Sequence, residues 1–135
     1  MELAQDDHLF IKSQNDIVTA RQKVRAWSLK IGFSLIDQTK VITAASELAR
    51  NTLEYGGGGE MKITLLKDEK NTPGLKIVFS DQGPGISNVK LALTDGYSTG
   101  KGMGLGLSGS KRLMNEFNLE TELGKGTRVT IVKWK

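Results

Sequence analysis

Glu47 and Asn51 stand four residues apart in SELARNTLEYGGGG, residues 46–59. On a helix they share one stripe, a proton acceptor one turn from a carboxamide oxygen. A second stretch, Asp81-Gln82-Gly83-Pro84-Gly85-Ile86, sets a carboxylate ahead of two glycines, which lack a Cβ and let backbone come close to a bound group. A third, Gly102-Met103-Gly104-Leu105-Gly106-Leu107, stands at the entrance to a helix. Backbone amides at a helix N-terminus point at an anion, and the dipole adds about half a unit of positive charge there. The fourth is Gly124-Lys125-Gly126-Thr127. Glycine supplies 16 of 135 residues, against ~7% in an average protein, and most lie in 56–59, 83–109 and 124–126.

These stretches need elements to position them. The apolar run Leu9-Phe10-Ile11 predicts a strand over 7–12, and Ser13 with Asp16 three residues on starts a helix. Ile17, Ala20, Val24, Trp27 and Ile31 give that helix one buried face, and Gly32 stops it. Ser34 and Asp37 repeat the start signal for a second helix, which carries Glu47 and Asn51 and ends near Tyr55. Strands at 62–66 and 76–80 are joined by Asn71-Thr72-Pro73-Gly74, an antiparallel hairpin signal. A short helix is expected over 89–94, a loop over 95–102, and a third main helix over 106–117 with Leu107, Leu113, Met114 and Phe117 facing in. Strands at 119–123 and 127–132 close the chain as a second hairpin. The order βααββαββ groups strands rather than alternating them with helices, which argues for an α+β two-layer sandwich with one mixed sheet and helices on one face.

Composition narrows the classes. The chain is long enough for one domain with a core, 38% hydrophobic and 25% charged, with no apolar run near the ~20 residues of a membrane span and no signal-peptide pattern. Cysteine is absent, which removes disulfides and thiolate metal sites and fits a reducing cytoplasm. The net charge of +4 comes from scattered Lys and Arg without a basic run, so neither nucleic acid nor membrane is expected as a partner.

Known nucleotide motifs do not fit. A P-loop orders its lysine before Ser or Thr, whereas Gly104-Leu105-Gly106-Leu107-Ser108-Gly109-Ser110-Lys111 reverses them. Gly102-Met103-Gly104-Leu105-Gly106 has the wrong spacing for a dinucleotide fingerprint and follows a loop. The His-Arg-Asp and Asp-Phe-Gly signatures of protein kinases are missing.

What does fit is the four stretches in their order. They resemble the N, G1, G2 and G3 boxes of the superfamily of DNA gyrase, the heat-shock protein of ninety kilodaltons, histidine kinases and MutL mismatch-repair proteins. Each box alone is weak; the order and separations carry the resemblance. No dimerisation hairpin with a phosphoacceptor histidine is present, since His8 is the only histidine and lies near the terminus. From the first strand to Lys133-Trp134 the chain resembles the bacterial anti-sigma-factor serine/threonine kinase family, nearest its stressosome switch-kinase branch. IDQTKVITAASELARN, DQGPGI and DGYSTGKGMGLGLSGSKRLMNEF carry that likeness. Anti-sigma factors proper follow the box asparagine with Ala-x-x-His; here Thr52-Leu53-Glu54-Tyr55-Gly56 follows Asn51, which favours the switch-kinase branch.

The resemblance implies a Bergerat-type two-layer α/β sandwich with a mixed, mostly antiparallel sheet, as a single kinase domain over 1–135 that uses ATP and Mg²⁺. It implies that Asn51 ligates Mg²⁺, and that Glu47 is the catalytic carboxylate that accepts or orients the proton of a Ser or Thr hydroxyl attacking the γ-phosphate. Asp81 would accept from the adenine amino group, framed by Gly83, Gly85 and Ile86, with Thr127 supporting it through Asp81 or an ordered water. Lys101, Gly102, Met103, Gly104, Leu105 and Gly106 would make the phosphate side, beneath a short lid over 97–101; the side chain of Leu105 is assigned core or hinge duty and no chemistry. Implied partners are STAS-domain antagonists of the stressosome scaffold as substrates and a PP2C-type phosphatase activated on release, in the cytoplasm, with a homodimer as an open alternative. The rivals are a non-catalytic anti-sigma factor that sequesters its target, and an ATPase piece of a larger sensor. Gly56 to Gly59 read as slack chain, Arg50 as a salt link near the helix end, Trp27 as core, and Trp134 as an edge residue that could meet a partner.

Overall fold

A computed structural model of the chain describes residues 6–86, 93 and 107–135. The helix expected over 89–94, save Leu93, the lid over 97–101, and Lys101, Gly102, Met103, Gly104, Leu105 and Gly106 all lie outside them.

The first strand, β1 (Asp6–Ile11), leads into α1 (Gln14–Ile31). The Asp16 carboxylate closes that helix start by accepting from the backbone of Lys12 at 2.8 Å and of Ser13 at 3.0 Å. Gly32 ends the helix in the left-handed region, φ 88°, as the glycine stop requires. Ser34 caps α2 (Leu35–Glu54) by accepting from the Asp37 amide at 3.1 Å. Then come β2 (Gly59–Lys67) and β3 (Pro73–Asp81), a hairpin turned by Asn71 at φ 67°, with the Asp68 side chain accepting from the amides of Lys70 and Thr72.

The third described helix, α3 (Leu107–Leu113), is shorter than expected, and Phe117 belongs to β4 (Glu116–Glu122) rather than to the helix. The physical reason is a change of period. From Glu116 exposure alternates residue by residue, with Phe117, Leu119 and Thr121 turned inward, and already at Asn115 the backbone amide donates to Val132. The last strand is β5 (Gly126–Trp134).

The sheet order is β1-β2-β3-β5-β4, and every pairing among the described strands is antiparallel. The mixed component expected from the sequence is therefore not realised as a parallel pair. β3 and β4 do run the same way, but β5 lies between them and is antiparallel to both. Between β1 and β2 the chain makes two helical passes, which returns it to the sheet reversed. α1 and α2 pack against each other and cover one face, burying Ile17, Ala20, Val24, Trp27, Val41, Ala45 and Leu48 against Met61, Ile63, Ile77, Phe79 and Ile131. Each large side chain so buried stabilises the fold by about 1.5–3 kcal/mol. Trp27 is 5% exposed, in the core stripe where its spacing places it. Trp134 is the last residue of β5, half-buried: its indole covers Gly74, and its Nε1–H donates to Glu116 at 3.0 Å.

Candidate functional site

Where the end of α2 meets the ends of β3 and β5, a cavity opens beneath the start of α3. Leu48, Asn51 and Thr52 line it from α2, Tyr55 and Gly56 from just past its end, Phe79 and Asp81 from β3, Pro84, Gly85 and Ile86 from the segment after β3, Leu107 from α3, and Thr127 and Val129 from β5. Five residues picked out from the sequence thus meet in one place: Asn51, Asp81, Gly85, Ile86 and Thr127. The strand register explains why Asp81 and Thr127 meet, since they are direct partners across β3 and β5.

Asp81 is the polar centre of this cavity. Its Oδ1 accepts from the Gly83 amide at 2.9 Å. Burial pushes its carboxyl above the ordinary value, and the backbone amides of Gly83 and Thr127 pull it part of the way back. A carboxylate offers about four acceptor positions, so two amides leave capacity for a donor in the cavity.

The glycines divide by what surrounds them. A Cβ on Gly83 would stand 2.7 Å from Gly56 Cα, so only glycine lets these two backbones touch. Gly85 has φ 79° and lies against the Glu122 backbone. Gly56 and Gly59, expected as slack, are close contacts: a Cβ on Gly56 would overlap the Asp81 side chain, and one on Gly59 would overlap Ser80 backbone. Within 56–59 it is Gly57, at φ 74° with nothing within 4 Å, that behaves as free turning chain.

Glu47 follows a different course from Asn51. It lies one turn earlier on the same stripe, but it is absent from the cavity lining, and its Oε1 takes a 2.9 Å ion pair from Arg50. The salt link expected of Arg50 is therefore made with Glu47 itself.

Beyond the cavity's apolar walls, the residues that sequence reasoning did not assign to the site include Thr52, Tyr55 and Gly56 in the lining and Thr121 behind it. Tyr55 follows from Asn51, and Thr52 from Leu48, by the four-residue helical spacing, and both could have been drawn from it. Thr121 is a polar side chain at an inward position of β4, a signal visible only once the two-residue period of that strand is recognised. Its hydroxyl takes the Ile86 amide at 2.9 Å and contacts the Thr127 hydroxyl at 2.9 Å and the Gly126 carbonyl at 3.1 Å.

For a divalent ion the chain offers the Asn51 carboxamide oxygen. Among the described residues no group of three or more His, Cys, Asp or Glu side chains gathers. That donor set fits Mg²⁺, which keeps several waters and takes phosphate oxygens beside one or two protein ligands.

The chain resembles known proteins over most of its length. Residues 36–135 match the family described as histidine kinase-, DNA gyrase B-, and HSP90-like ATPase. The chain is 45% identical over 124 residues to the serine/threonine-protein kinase RsbT of Bacillus subtilis (strain 168), covering 92% of each. It is 32% identical over 127 residues to an anti-sigma F factor of Clostridium kluyveri, covering 90% of this chain and 87% of that protein. Among solved structures, the RsbU and RsbW domains of Rv1364c from Mycobacterium tuberculosis share the fold at TM-score 0.63 and 19% identity, over 96% of this chain and 32% of that one. The SiaB-SiaC complex from Pseudomonas aeruginosa contains a chain that matches at TM-score 0.55 and 14% identity, over 96% and 89%.

Proposed function

This chain belongs to the histidine kinase-, DNA gyrase B-, and HSP90-like ATPase family, and from that premise we propose a switching kinase whose cavity takes the adenine end of ATP. It is a serine/threonine protein kinase of the partner-switching kind, as its likeness over nearly the whole chain to RsbT and to anti-sigma F factors supports. The observation that carries the nucleotide reading is the meeting of Asn51, Asp81, Gly85, Ile86 and Thr127 around one cavity.

Asp81 accepts from the adenine amino group, a donor that guanine replaces with a carbonyl. Gly83 and Gly85 bring backbone against the base, and Ile86, Leu107 and Val129 give it apolar walls. Asn51 is the protein ligand of Mg²⁺, which when bound neutralises phosphate charge. Glu47 takes the proton of the attacking hydroxyl; to do so its carboxylate exchanges the Arg50 guanidinium for the incoming substrate. Lys101, Gly102, Met103, Gly104, Leu105 and Gly106 complete the phosphate side, and residues 1–135 form one kinase domain.

The substrates are STAS-domain antagonists of a stressosome scaffold. Release from them frees the kinase to activate a PP2C-type phosphatase, all in the cytoplasm. A phosphate adds about −1.5 to −2 charge at such an interface, enough to exchange one partner for another. Labelled ATP, Mg²⁺ and a serine-bearing STAS partner test the reading: phosphate should appear on the partner and vanish with Asp81→Asn. ATP binding without transfer to any such partner would favour the sequestering anti-sigma alternative.

A further inference from the structure

We propose that Thr121 is a positioning residue that fixes which way the Thr127 hydroxyl points, and so helps the cavity prefer an amino-bearing purine over a carbonyl-bearing one. The inference rests on the reading above that this cavity takes the base of ATP.

A hydroxyl has one proton to give and two lone pairs to receive with. Thr121 Oγ1 has three partners within reach: the Ile86 amide at 2.9 Å, the Gly126 carbonyl at 3.1 Å and the Thr127 hydroxyl at 2.9 Å. The Gly126 carbonyl can only accept, so it takes the Thr121 proton. The Ile86 amide can only donate, so it fills one lone pair. One arrangement is then left for the third contact: Thr127 donates to Thr121. With its proton turned away, Thr127 shows the cavity an oxygen that only accepts. Thr127 lines the cavity and Thr121 does not, so Thr121 acts through its neighbours.

An acceptor at Thr127 beside the Asp81 carboxylate suits a ligand that gives protons, directly or through one water. A carbonyl at the same place would meet two acceptors and no donor. The same hydroxyl also anchors Ile86, and it does not act alone on that segment. The Gly124 amide donates to the Pro84 carbonyl at 2.9 Å, and Gly85 at φ 79° lies against the Glu122 backbone. The β4–β5 hairpin therefore holds 84–86 on both sides of Gly85, and among the hydrogen bonds of the described residues Thr121 supplies the side chain in that clasp.

Removing the hydroxyl while keeping the shape separates orientation from packing. In Thr121→Val the Thr127 proton is free to rotate into the cavity, and the Ile86 amide loses its acceptor. Calorimetry on the full chain with Mg²⁺ and either ATP or GTP gives the two affinities. The expected result is about a tenfold loss for ATP and a smaller loss for GTP, so that the preference between them narrows. Thr121→Ser, which keeps the hydroxyl, should restore both affinities. Hydrogen exchange at the Ile86 amide should quicken in Thr121→Val while that of Phe79 in β3 stays as it was.

Equal losses for ATP and GTP, or a serine variant that behaves like valine, would overturn the orienting role. Should Thr121→Val not fold, Thr121→Ala carries the same comparison, and failure of both to fold would make Thr121 structural instead. A wild-type chain that binds no ATP overturns the nucleotide reading, and this inference with it; a wild type that binds ATP beside an unaffected Thr121→Val overturns this inference alone.

Discussion

Gly56 backs directly onto Asp81: a Cβ at position 56 would run into the side chain of Asp81 and stand 2.6 Å from the Thr52 carbonyl. The end of α2 and the end of β3 thus touch at the point where the base would be read. Gly56→Ala must push Asp81 aside, and should weaken ATP binding by at least about tenfold, since losing one well-made hydrogen bond to a charged group is worth that much. Gly57→Ala is the control. It strains a backbone at φ 74° with open space around it, and should cost about 1 kcal/mol of stability while leaving ATP affinity as it was. Titration calorimetry paired with thermal unfolding distinguishes the two.

Asp81→Asn should abolish ATP binding and leave the protein folded, with a neutral-pH unfolding midpoint equal to or above that of the wild type. The sign follows from burial, which raises the carboxyl above its ordinary 3.8. In the folded state protonation is favoured, so the contribution of Asp81 to stability is full below 3.8 and is lost as pH rises through the raised value. The Asn variant should flatten the stability profile in that acidic window. ATP affinity of the wild type should rise across the same window as the acceptor ionises. Unfolding curves at several pH values check the first point and binding at the same values the second.

If Asn51 acts on the metal as proposed, Asn51→Ala should weaken ATP binding in the presence of Mg²⁺ and change it little in EDTA. Glu47→Ala should keep ATP affinity and slow phosphate transfer by about 10²–10⁴-fold, the usual range for a lost general base. Arg50→Ala separates pairing from chemistry at Glu47: with the guanidinium gone, transfer should persist. Calorimetry in Mg²⁺ and in EDTA measures the affinities, and single-turnover transfer at saturating ATP measures the rates of Glu47→Ala and Arg50→Ala.

Asp7 links β1 to α1, with Lys23 Nζ 3.2 Å from its carboxylate and Trp27 Nε1–H donating at 3.4 Å. Burial works to raise this carboxyl, but the His8 amide, Lys23 and Trp27 outweigh it and hold it below the ordinary 3.8. Its contribution is therefore present above 3.8 and lost as pH falls through the lowered value. Asp7→Ala should cost about 1 kcal/mol at neutral pH, and the difference from wild type should close in acid, which chemical denaturation at pH 7 and pH 2 would show.

The +4 net charge should steer the kinase towards acidic partners, so association with a STAS substrate should slow as salt rises. Stopped-flow mixing across ionic strength measures this; an on-rate that stays flat would remove steering from the account.

Much of this was open to reading in the chain alone. The caps at Ser13 and Ser34 and the stop at Gly32 depend on side chains within a few residues, and their helices begin and end where those residues stand. Glu47 and Asn51 share a stripe because 3.6 residues make a turn. Leu113, Met114 and Phe117 fit a helical period, whereas Phe117, Leu119 and Thr121 follow the strand period that β5 imposes on 116–122 through pairing, so Phe117 satisfies both. A short apolar run admits both periods, and only the partner strand decides between them.

From sequence alone one can place the four glycine-bearing stretches on their elements, because capping, periodicity and glycine's freedom act over one or two turns of chain. Only the tertiary fold could set Gly56 against Asp81, turn Glu47 towards Arg50, pair Asp81 with Thr127 and bring Thr121 to Ile86. Those contacts join residues far apart in the chain, and each exists because sheet register and helix packing carry both partners to one point. No local preference contains that information; it enters with the burial of a shared core.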